Sequence, residues 1–163
     1  MLTIMGSEYN ADRNALEIYV SGCKRACPGC HNPEGHTFGK GKSWRLWLKE
    51  NTWKIKTGAF DRIWILGGDL VGQPVPDAVV FLSGLRRAMP DSMELWLWTG
   101  AEELEGVPAA YLPYCDIIKT GSYKQHLPPA EADVYGDGAE RITLASNNQR
   151  FHNLEVNGNA YDR

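Results

Sequence analysis

Four short apolar segments, each ending in glycine, constrain the fold of this 163-residue chain more than any other feature. Each consists mainly of leucine, β-branched and aromatic residues rather than a strict alternation of polar and apolar ones. Unbroken runs are typical of strands buried on both faces, as in a parallel sheet. The segments are LEIYVSG (16–22), RIWILGG (62–68), ELWLWTG (94–100) and CDIIKTG (115–121).

Helix patterns separate these segments. Ser43 is a candidate N-cap for a helix that carries Trp44 and Trp47 on one face. A second pattern covers residues 76–89, with proline in its first turn and another proline just after its end. Residues 101–105 predict the start of a shorter helix. Alternating strands and helices indicate βαβ units, and therefore an α/β fold with a mostly parallel sheet.

The rest of the chain predicts a strand at RITLAS (141–146) and an edge strand at NLEVNG (153–158). The sequence contains no repeat, low-complexity tract or convincing linker. We therefore expect residues 1–163 to form a single domain.

Overall composition argues against several classes of protein. The formal net charge is −3, which gives no general case for binding nucleic acid or a membrane surface. No apolar run approaches the roughly 18 residues needed to cross a bilayer. The first residues do not resemble a secretory signal, so we expect a cytoplasmic protein whose thiols stay reduced. Clustered cysteines in that setting indicate metal or redox chemistry before disulfides.

Three of the four cysteines lie within the eight residues CKRACPGC, at Cys23, Cys27 and Cys30. In parallel α/β folds the carboxyl ends of the strands carry the chemistry. The loop follows the first apolar segment, so we expect it to lie beside GGD (67–69) and WTG (98–100).

The cysteine spacing leaves two interpretations open. A structural zinc site needs four ligands, and the fourth would be His31, His36 or the distant Cys115. The chain would then be a small zinc-binding interaction module. A [4Fe–4S] cluster is normally held by four cysteine thiolates. Three thiolates leave one iron open, and an open iron in an enzyme is where a substrate can coordinate.

The CxxxCxxC motif after the first predicted strand resembles the cluster loop of the radical S-adenosylmethionine superfamily. GGD is similar to that superfamily's GGE/GGD motif. CPGC followed by His31 and Asn32, then WLWTG and SNNQR (146–150), resembles the activating proteins of anaerobic ribonucleoside-triphosphate reductase. These matches occur in order over most of the chain.

The resemblance implies a glycyl-radical-activating oxidoreductase that reductively cleaves S-adenosylmethionine at a [4Fe–4S] cluster. It implies that the large subunit of the anaerobic reductase receives the radical and that a low-potential electron donor is needed. The resemblance assigns no catalytic side chain beyond the cluster ligands, which are Cys23, Cys27 and Cys30. The residues that it places in the cofactor site are Gly67, Gly68, Asp69, Asn32 and Thr99.

The implied fold is a partial, open (β/α) barrel of the radical S-adenosylmethionine type. Length supports this independently, because a closed eightfold barrel typically needs about 250 residues. An open barrel leaves a reactive radical exposed unless a large partner seals the site. Shortness therefore favours a protein substrate, although a radical enzyme acting on a small molecule stays an alternative.

Overall fold

The computed structural model describes residues 1–25, 27–31 and 33–154. These ranges contain nine strands and two α-helices, numbered here in chain order. They are β1 (Thr3–Asn10), β2 (Ala15–Val20), β3 (Lys42–Ser43), α1 (Trp44–Lys56), β4 (Arg62–Gly67), α2 (Val75–Ala88), β5 (Glu94–Trp98), β6 (Ile117–Thr120), β7 (Ala130–Asp133), β8 (Arg141–Leu144) and β9 (Arg150–Asn153).

Seven of these strands form one open sheet in the order β3-β1-β2-β4-β5-β6-β9. The four central strands, β2, β4, β5 and β6, are parallel to one another. They are the four glycine-terminated segments, so that prediction is confirmed. Antiparallel strands flank them on both sides, with β1 next to β2 and β9 next to β6. The predicted α/β class with an open, largely parallel sheet is confirmed.

Both α-helices pack on one face of this sheet and enclose the larger core. Ser43 caps α1 as predicted, because its Oγ accepts a hydrogen bond from the Leu46 amide at 3.2 Å. Helix α1 buries Trp44 and Trp47, and α2 buries the side chain of Phe81 among others. In the part of the chain that the structure describes, no helix is long and apolar enough to cross a membrane.

The opposite face of the sheet holds a second, aromatic core. Trp64, Trp96, Trp98 and Phe151 pack ring against ring on this face, with centroid distances of 4.9 to 6.4 Å. The two-stranded β7–β8 sheet contributes apolar side chains to the same cluster. The β7–β8 sheet therefore packs against the aromatic face. The three clustered cysteines, which follow β2 in the sequence, are not part of this aromatic cluster.

The expected helix at residues 101–105 is wrong. The chain instead makes two short 3₁₀ segments, Leu104–Gly106 and Ala109–Tyr114, between β5 and β6. Pro108 and Pro113 explain this, since proline lacks the amide hydrogen that a continuing α-helix needs.

The other strand predictions have mixed outcomes. Strand β8 confirms the prediction at RITLAS. The edge strand β9, however, lies at Arg150–Asn153, just before most of the predicted NLEVNG segment. Residues 155–158 of that segment lie outside the described residues. Strand β1 was not predicted, because its mixed polar and apolar sequence has no unbroken apolar run.

Candidate functional site

The loop after β2, residues 21–40, carries the three clustered cysteines and is called the cysteine loop here. Its two ends are held together by backbone hydrogen bonds. The Gly22 amide donates to the Gly35 carbonyl at 2.8 Å, and the Cys23 amide donates to the His36 carbonyl at 3.3 Å. The loop therefore begins and ends at one point, beside the carboxyl end of β2.

Cys23, Cys27 and Cys30 are half-buried thiols within this loop. A turn joins the last two, because the Cys30 amide donates to the Cys27 carbonyl at 3.0 Å. Gly29 allows this turn with a φ of 71°, in the left-handed region that favours glycine. The remaining cysteine, Cys115, is fully buried in the main core, and burial raises the pKa of its thiol to about 12. The structure thus separates Cys115 from the other three.

Three thiols are the donor type that a [4Fe–4S] cluster takes, with each cysteine binding its own iron. In residues 1–25, 27–31 and 33–154, no three His, Cys, Asp or Glu side chains converge on one point as the ligands of a single metal ion do. Asn32, predicted as a cofactor contact, lies outside the described residues.

Gly67 and Gly68 bring the end of β4 into backbone contact with the cysteine loop. A Cβ atom on Gly67 would lie 2.6 Å from the Val20 carbonyl oxygen, and Gly67 has a φ of 99°. A Cβ on Gly68 would meet the backbones of Gly22 and Gly35. Glycine is therefore required at both positions because the end of β4 packs closely against β2 and the cysteine loop.

Asp69 is buried and links the ends of two strands to the cysteine loop. Its Oδ2 accepts hydrogen bonds from the Thr99 hydroxyl at 3.0 Å and the Gly100 amide at 2.8 Å, while Oδ1 accepts from the Val71 amide at 2.9 Å. Arg25 of the cysteine loop places Nε 3.4 Å from Oδ2. Burial raises the pKa of the Asp69 carboxyl, although these hydrogen bonds and Arg25 oppose the rise. The structure thus brings two predicted site residues, Asp69 and Thr99, into direct contact.

Gln73 is a buried side chain that the sequence analysis missed. Its amide Nε2 donates to the carbonyls of Ser21 at 2.9 Å, Gly22 at 3.2 Å and Asp69 at 3.2 Å. Gln73 therefore fixes the start of the cysteine loop to the turn after β4. Nothing in its sequence neighbourhood distinguishes it from an ordinary loop glutamine, so no sequence signal was available.

Lys119 is a second residue that the sequence analysis missed, and here a signal existed. It is a charged residue within an apolar strand segment, and only 8% of it is exposed. Its Nζ donates to the Gly121 carbonyl at 3.1 Å. Burial lowers the pKa of Lys119 to about 8, against the opposing influence of Asp69 and Cys27. A buried amine thus lies within electrostatic reach of the cysteine loop.

Two cavities open onto the cysteines. The first, called the Cys27 cavity, measures about 830 Å³ and is lined by Arg25, Cys27, Pro28 and residues 122–126. The second measures about 330 Å³, and Cys30 and Lys119 are among its lining residues. Both volumes lie in the range of small-molecule sites.

Residues 122–126 lie across the cysteine loop and form one wall of the Cys27 cavity. The Tyr123 ring is 4.9 Å from the His31 ring, centroid to centroid. The side chain of Gln125 covers Gly29, where a Cβ atom would lie 2.9 Å from the Gln125 Cδ. The sequence analysis did not assign these residues to the site.

Comparison with known proteins identifies the family. Residues 13–143 match the family model described as a 4Fe-4S single cluster domain. The chain is 30% identical to the anaerobic ribonucleoside-triphosphate reductase-activating protein of Escherichia coli strain K12, over 89% of this chain and 92% of that protein. The protein of the same name from Haemophilus influenzae is 30% identical, over 71% of this chain and 78% of the relative.

A third protein of that name, from Enterobacteria phage T4, is 25% identical over 82% of this chain and 80% of its own length. No solved structure matches the chain significantly. The family model covers most of the chain, and the relatives are matched over most of their length. The chain therefore belongs to the family of anaerobic ribonucleoside-triphosphate reductase-activating proteins.

Proposed function

We propose that this protein is a radical S-adenosylmethionine enzyme that generates a glycyl radical on anaerobic ribonucleoside-triphosphate reductase. The observation that carries the proposal is the position of the cysteine loop. Three thiols in the CxxxCxxC arrangement lie in the loop after β2, beside the ends of β4 and β5, and one of them, Cys27, lines a ligand-sized cavity. This is the edge at which α/β folds bind their ligands.

In this proposal Cys23, Cys27 and Cys30 hold a [4Fe–4S] cluster, one thiolate to each of three irons. When bound, the cluster supplies the electron that cleaves the sulfonium bond of S-adenosylmethionine, giving methionine and the radical that takes hydrogen from a glycine. The protein's own task is to hold the loop in place. The bonds from Gly22 to Gly35 and from Gln73 to the loop carbonyls do this.

The cofactor's methionyl group belongs, in this proposal, beside Gly67, Gly68 and Asp69. Asp69 presents the negative charge that an ammonium group prefers, and in the structure the guanidinium of Arg25 already lies next to it. Thr99 orients the Asp69 carboxylate through its hydroxyl, and Asn32 contacts the cofactor from the cysteine loop. Asp69 and Thr99 are buried, which strengthens the interactions of the Asp69 charge because water does not screen them.

The reductase completes the site from outside. The Cys27 cavity is open to solvent, and a radical that attacks C–H bonds needs water and other donors excluded. A loop of the reductase that carries the target glycine supplies this seal. A low-potential electron donor is the second partner. The reducing cytoplasm suits such a centre, since thiols persist there.

The decisive experiment is anaerobic incubation of the reconstituted protein with the reductase, S-adenosylmethionine and dithionite, followed by electron paramagnetic resonance. We expect a glycyl-radical doublet that requires every component. Formation of 5′-deoxyadenosine without that doublet would reject the reductase as the substrate and favour a small molecule. Stoichiometric zinc in a colourless protein, with no iron bound, would reject the cluster.

Matched cysteine variants test the ligand assignment. Cys27→Ala should lose both the broad absorbance near 400 nm and cofactor cleavage. Cys115→Ala should keep both, because Cys115 lies in the core and its thiol pKa is raised to about 12. Equal loss in the two variants would show a general folding defect rather than the loss of a ligand.

A further inference from the structure

The segment SNNQR (146–150) leads from β8 into β9 and forms a turn that binds its own two ends. The Gln149 amide donates to the Ser146 carbonyl at 3.1 Å, and the Ser146 amide donates to the Gln149 side-chain Oε1 at 3.2 Å. Ser146 is fully buried although it is polar. We call this segment the SNNQR turn, and its internal hydrogen bonds give it a defined shape.

Three side chains of the SNNQR turn bond to the backbone of the segment that follows β6. The bonds are Asn148 Nδ2 to the Ser122 carbonyl at 2.8 Å, Gln149 Nε2 to the Gly121 carbonyl at 3.1 Å, and the Lys124 amide to Ser146 Oγ at 3.2 Å. Residues 121–124 belong to no helix or strand. Backbone groups outside a regular ladder need other partners, and here the turn supplies them.

Gly121 lets the SNNQR turn approach this segment at backbone distance. A Cβ atom on Gly121 would lie 2.8 Å from the Gln149 Cα and 3.0 Å from the Asn148 carbonyl oxygen. Gly121 also has a φ of 98°, in the region that favours glycine. The turn and the segment are therefore in direct backbone contact, and a shift of one requires a shift of the other.

The segment held by the SNNQR turn is the wall shared by the two cavities at the cysteines. Residues 122–126 line the Cys27 cavity, while Tyr123 and Gln149 line the smaller cavity together with Cys30. The Gly121 carbonyl accepts from the buried Lys119 Nζ at 3.1 Å as well as from Gln149. The turn thus connects the 122–126 wall to the side of the site where Cys30 lies.

We propose that Ser146, Asn148 and Gln149 are positioning residues that hold the 122–126 wall in place, so that the radical reaches the target glycine. The inference rests on the proposed function. Hydrogen transfer breaks a C–H bond of the glycine and forms one in 5′-deoxyadenosine, and it requires close alignment of the two carbon atoms. When the wall is displaced, the radical takes its hydrogen from another C–H donor, such as an organic buffer molecule. The cofactor is then still cleaved, but fewer glycyl radicals form per 5′-deoxyadenosine.

The test compares Asn148→Asp with Asn147→Asp, two neighbouring changes of the same size and charge. Asn148→Asp removes the NH₂ group that donates to Ser122 and places a carboxylate oxygen against that carbonyl, whereas Asn147 is exposed. The reconstituted protein is incubated with the reductase, S-adenosylmethionine and dithionite. Glycyl radical is counted by electron paramagnetic resonance and 5′-deoxyadenosine by chromatography. We expect the ratio of radical to 5′-deoxyadenosine to fall at least about fivefold in Asn148→Asp and less than about twofold in Asn147→Asp.

This ratio separates positioning from a general folding defect, because a smaller folded fraction lowers both products together. Ser146→Ala is a second, smaller change, which removes only the hydroxyl that accepts from the Lys124 amide. It should lower the ratio in the same direction, and it serves if Asn148→Asp does not fold. An unchanged ratio in Asn148→Asp and Ser146→Ala, or an equal fall in Asn147→Asp, would overturn the proposal.

Amide hydrogen exchange of the reconstituted protein without the reductase gives a readout that does not depend on activity. Peptides covering residues 121–126 should exchange several-fold faster in Asn148→Asp than in wild type, while peptides from α1 exchange as before. Unchanged exchange at 121–126 would overturn the proposal. If the wild type forms no glycyl radical but exchange at 121–126 still depends on Asn148, the proposed function fails and the positioning of the wall stands.

Discussion

Asp69 is the residue at which the ends of β4 and β5 and the cysteine loop meet. Asp69→Asn replaces one acceptor oxygen by an NH₂ group, which cannot accept from both the Thr99 hydroxyl and the Gly100 amide. We expect the free energy of unfolding to fall by about 1 to 3 kcal/mol. The measurement is urea denaturation of the cluster-free protein.

The same variant tests the predicted contact with the cofactor. If the Asp69 charge attracts the methionyl ammonium, Asp69→Asn should weaken S-adenosylmethionine binding about tenfold or more, by calorimetry on the reconstituted protein. Thr99→Val is the matched control, since it removes one hydrogen bond to Asp69 but keeps the charge. Equally weakened S-adenosylmethionine binding in both variants would show that Asp69 supports the structure of the site and does not attract the cofactor by its charge.

Lys119 makes stability depend on pH in the alkaline range. Its folded pKa is about 8, below its ordinary value of 10.5, so between these values the unfolded chain binds more protons than the folded one. Stability therefore rises as pH increases from 8 to about 10.5, by roughly 3 kcal/mol if the full shift applies. Lys119→Met should remove this rise and be more stable than wild type at pH 7. Parallel pH profiles of unfolding for the two proteins would contradict this account.

Residues differ in how far the sequence reveals their roles. The three clustered cysteines stand out in the sequence because their spacing is itself the chemical signal, and their role as cluster ligands stays a prediction. Lys119 carried a signal, a charge inside an apolar strand, but the strand pattern concealed it. Gln73 carried none, because it donates to carbonyls that only the folded chain brings together.

At the scale of elements, the junction between the cysteine loop and β4 depends on glycine for two separable reasons. Gly67 and Gly72 both have positive φ, at 99° and 107°, so alanine is strained at either position. A Cβ on Gly67 would also lie 2.6 Å from the Val20 carbonyl, whereas a Cβ on Gly72 would meet nothing within 4 Å. Gly67→Ala should thus cost about 1 to 3 kcal/mol more than Gly72→Ala in thermal or urea unfolding. Equal costs would mean that the close packing is unimportant.

How well a helix or strand could be predicted depends on how far its own sequence determines its structure. The four parallel strands were predicted because burial on both faces requires unbroken apolar runs. Helix α1 was predicted because its cap and its tryptophans are adjacent in sequence. Strand β1 was missed because its mixed polar and apolar sequence has no unbroken apolar run, although it pairs with its neighbour β2 in a hairpin. The 3₁₀ segments replaced a helix that Pro108 and Pro113 prevent.

At the scale of the whole molecule, the open sheet leaves the site accessible at one edge. The aromatic face of the central strands is filled by Trp64, Trp96 and Trp98 under the β7–β8 sheet, so the protein's own core occupies it. The Cys27 cavity opens at the carboxyl ends of the strands, beside the cysteine loop. This edge is therefore where we expect the reductase to bind.

This arrangement predicts where the reductase protects the protein from solvent. Residues 122–126 wall the open Cys27 cavity, so a reductase loop that seals it must cover them. Amide hydrogen exchange in this segment should slow at least severalfold when the reductase is added with S-adenosylmethionine, because bound segments open less often. Peptides from α1 serve as an internal control and should exchange as before. Protection of α1 with unchanged exchange at 122–126 would place the reductase away from the Cys27 cavity and reject this assignment.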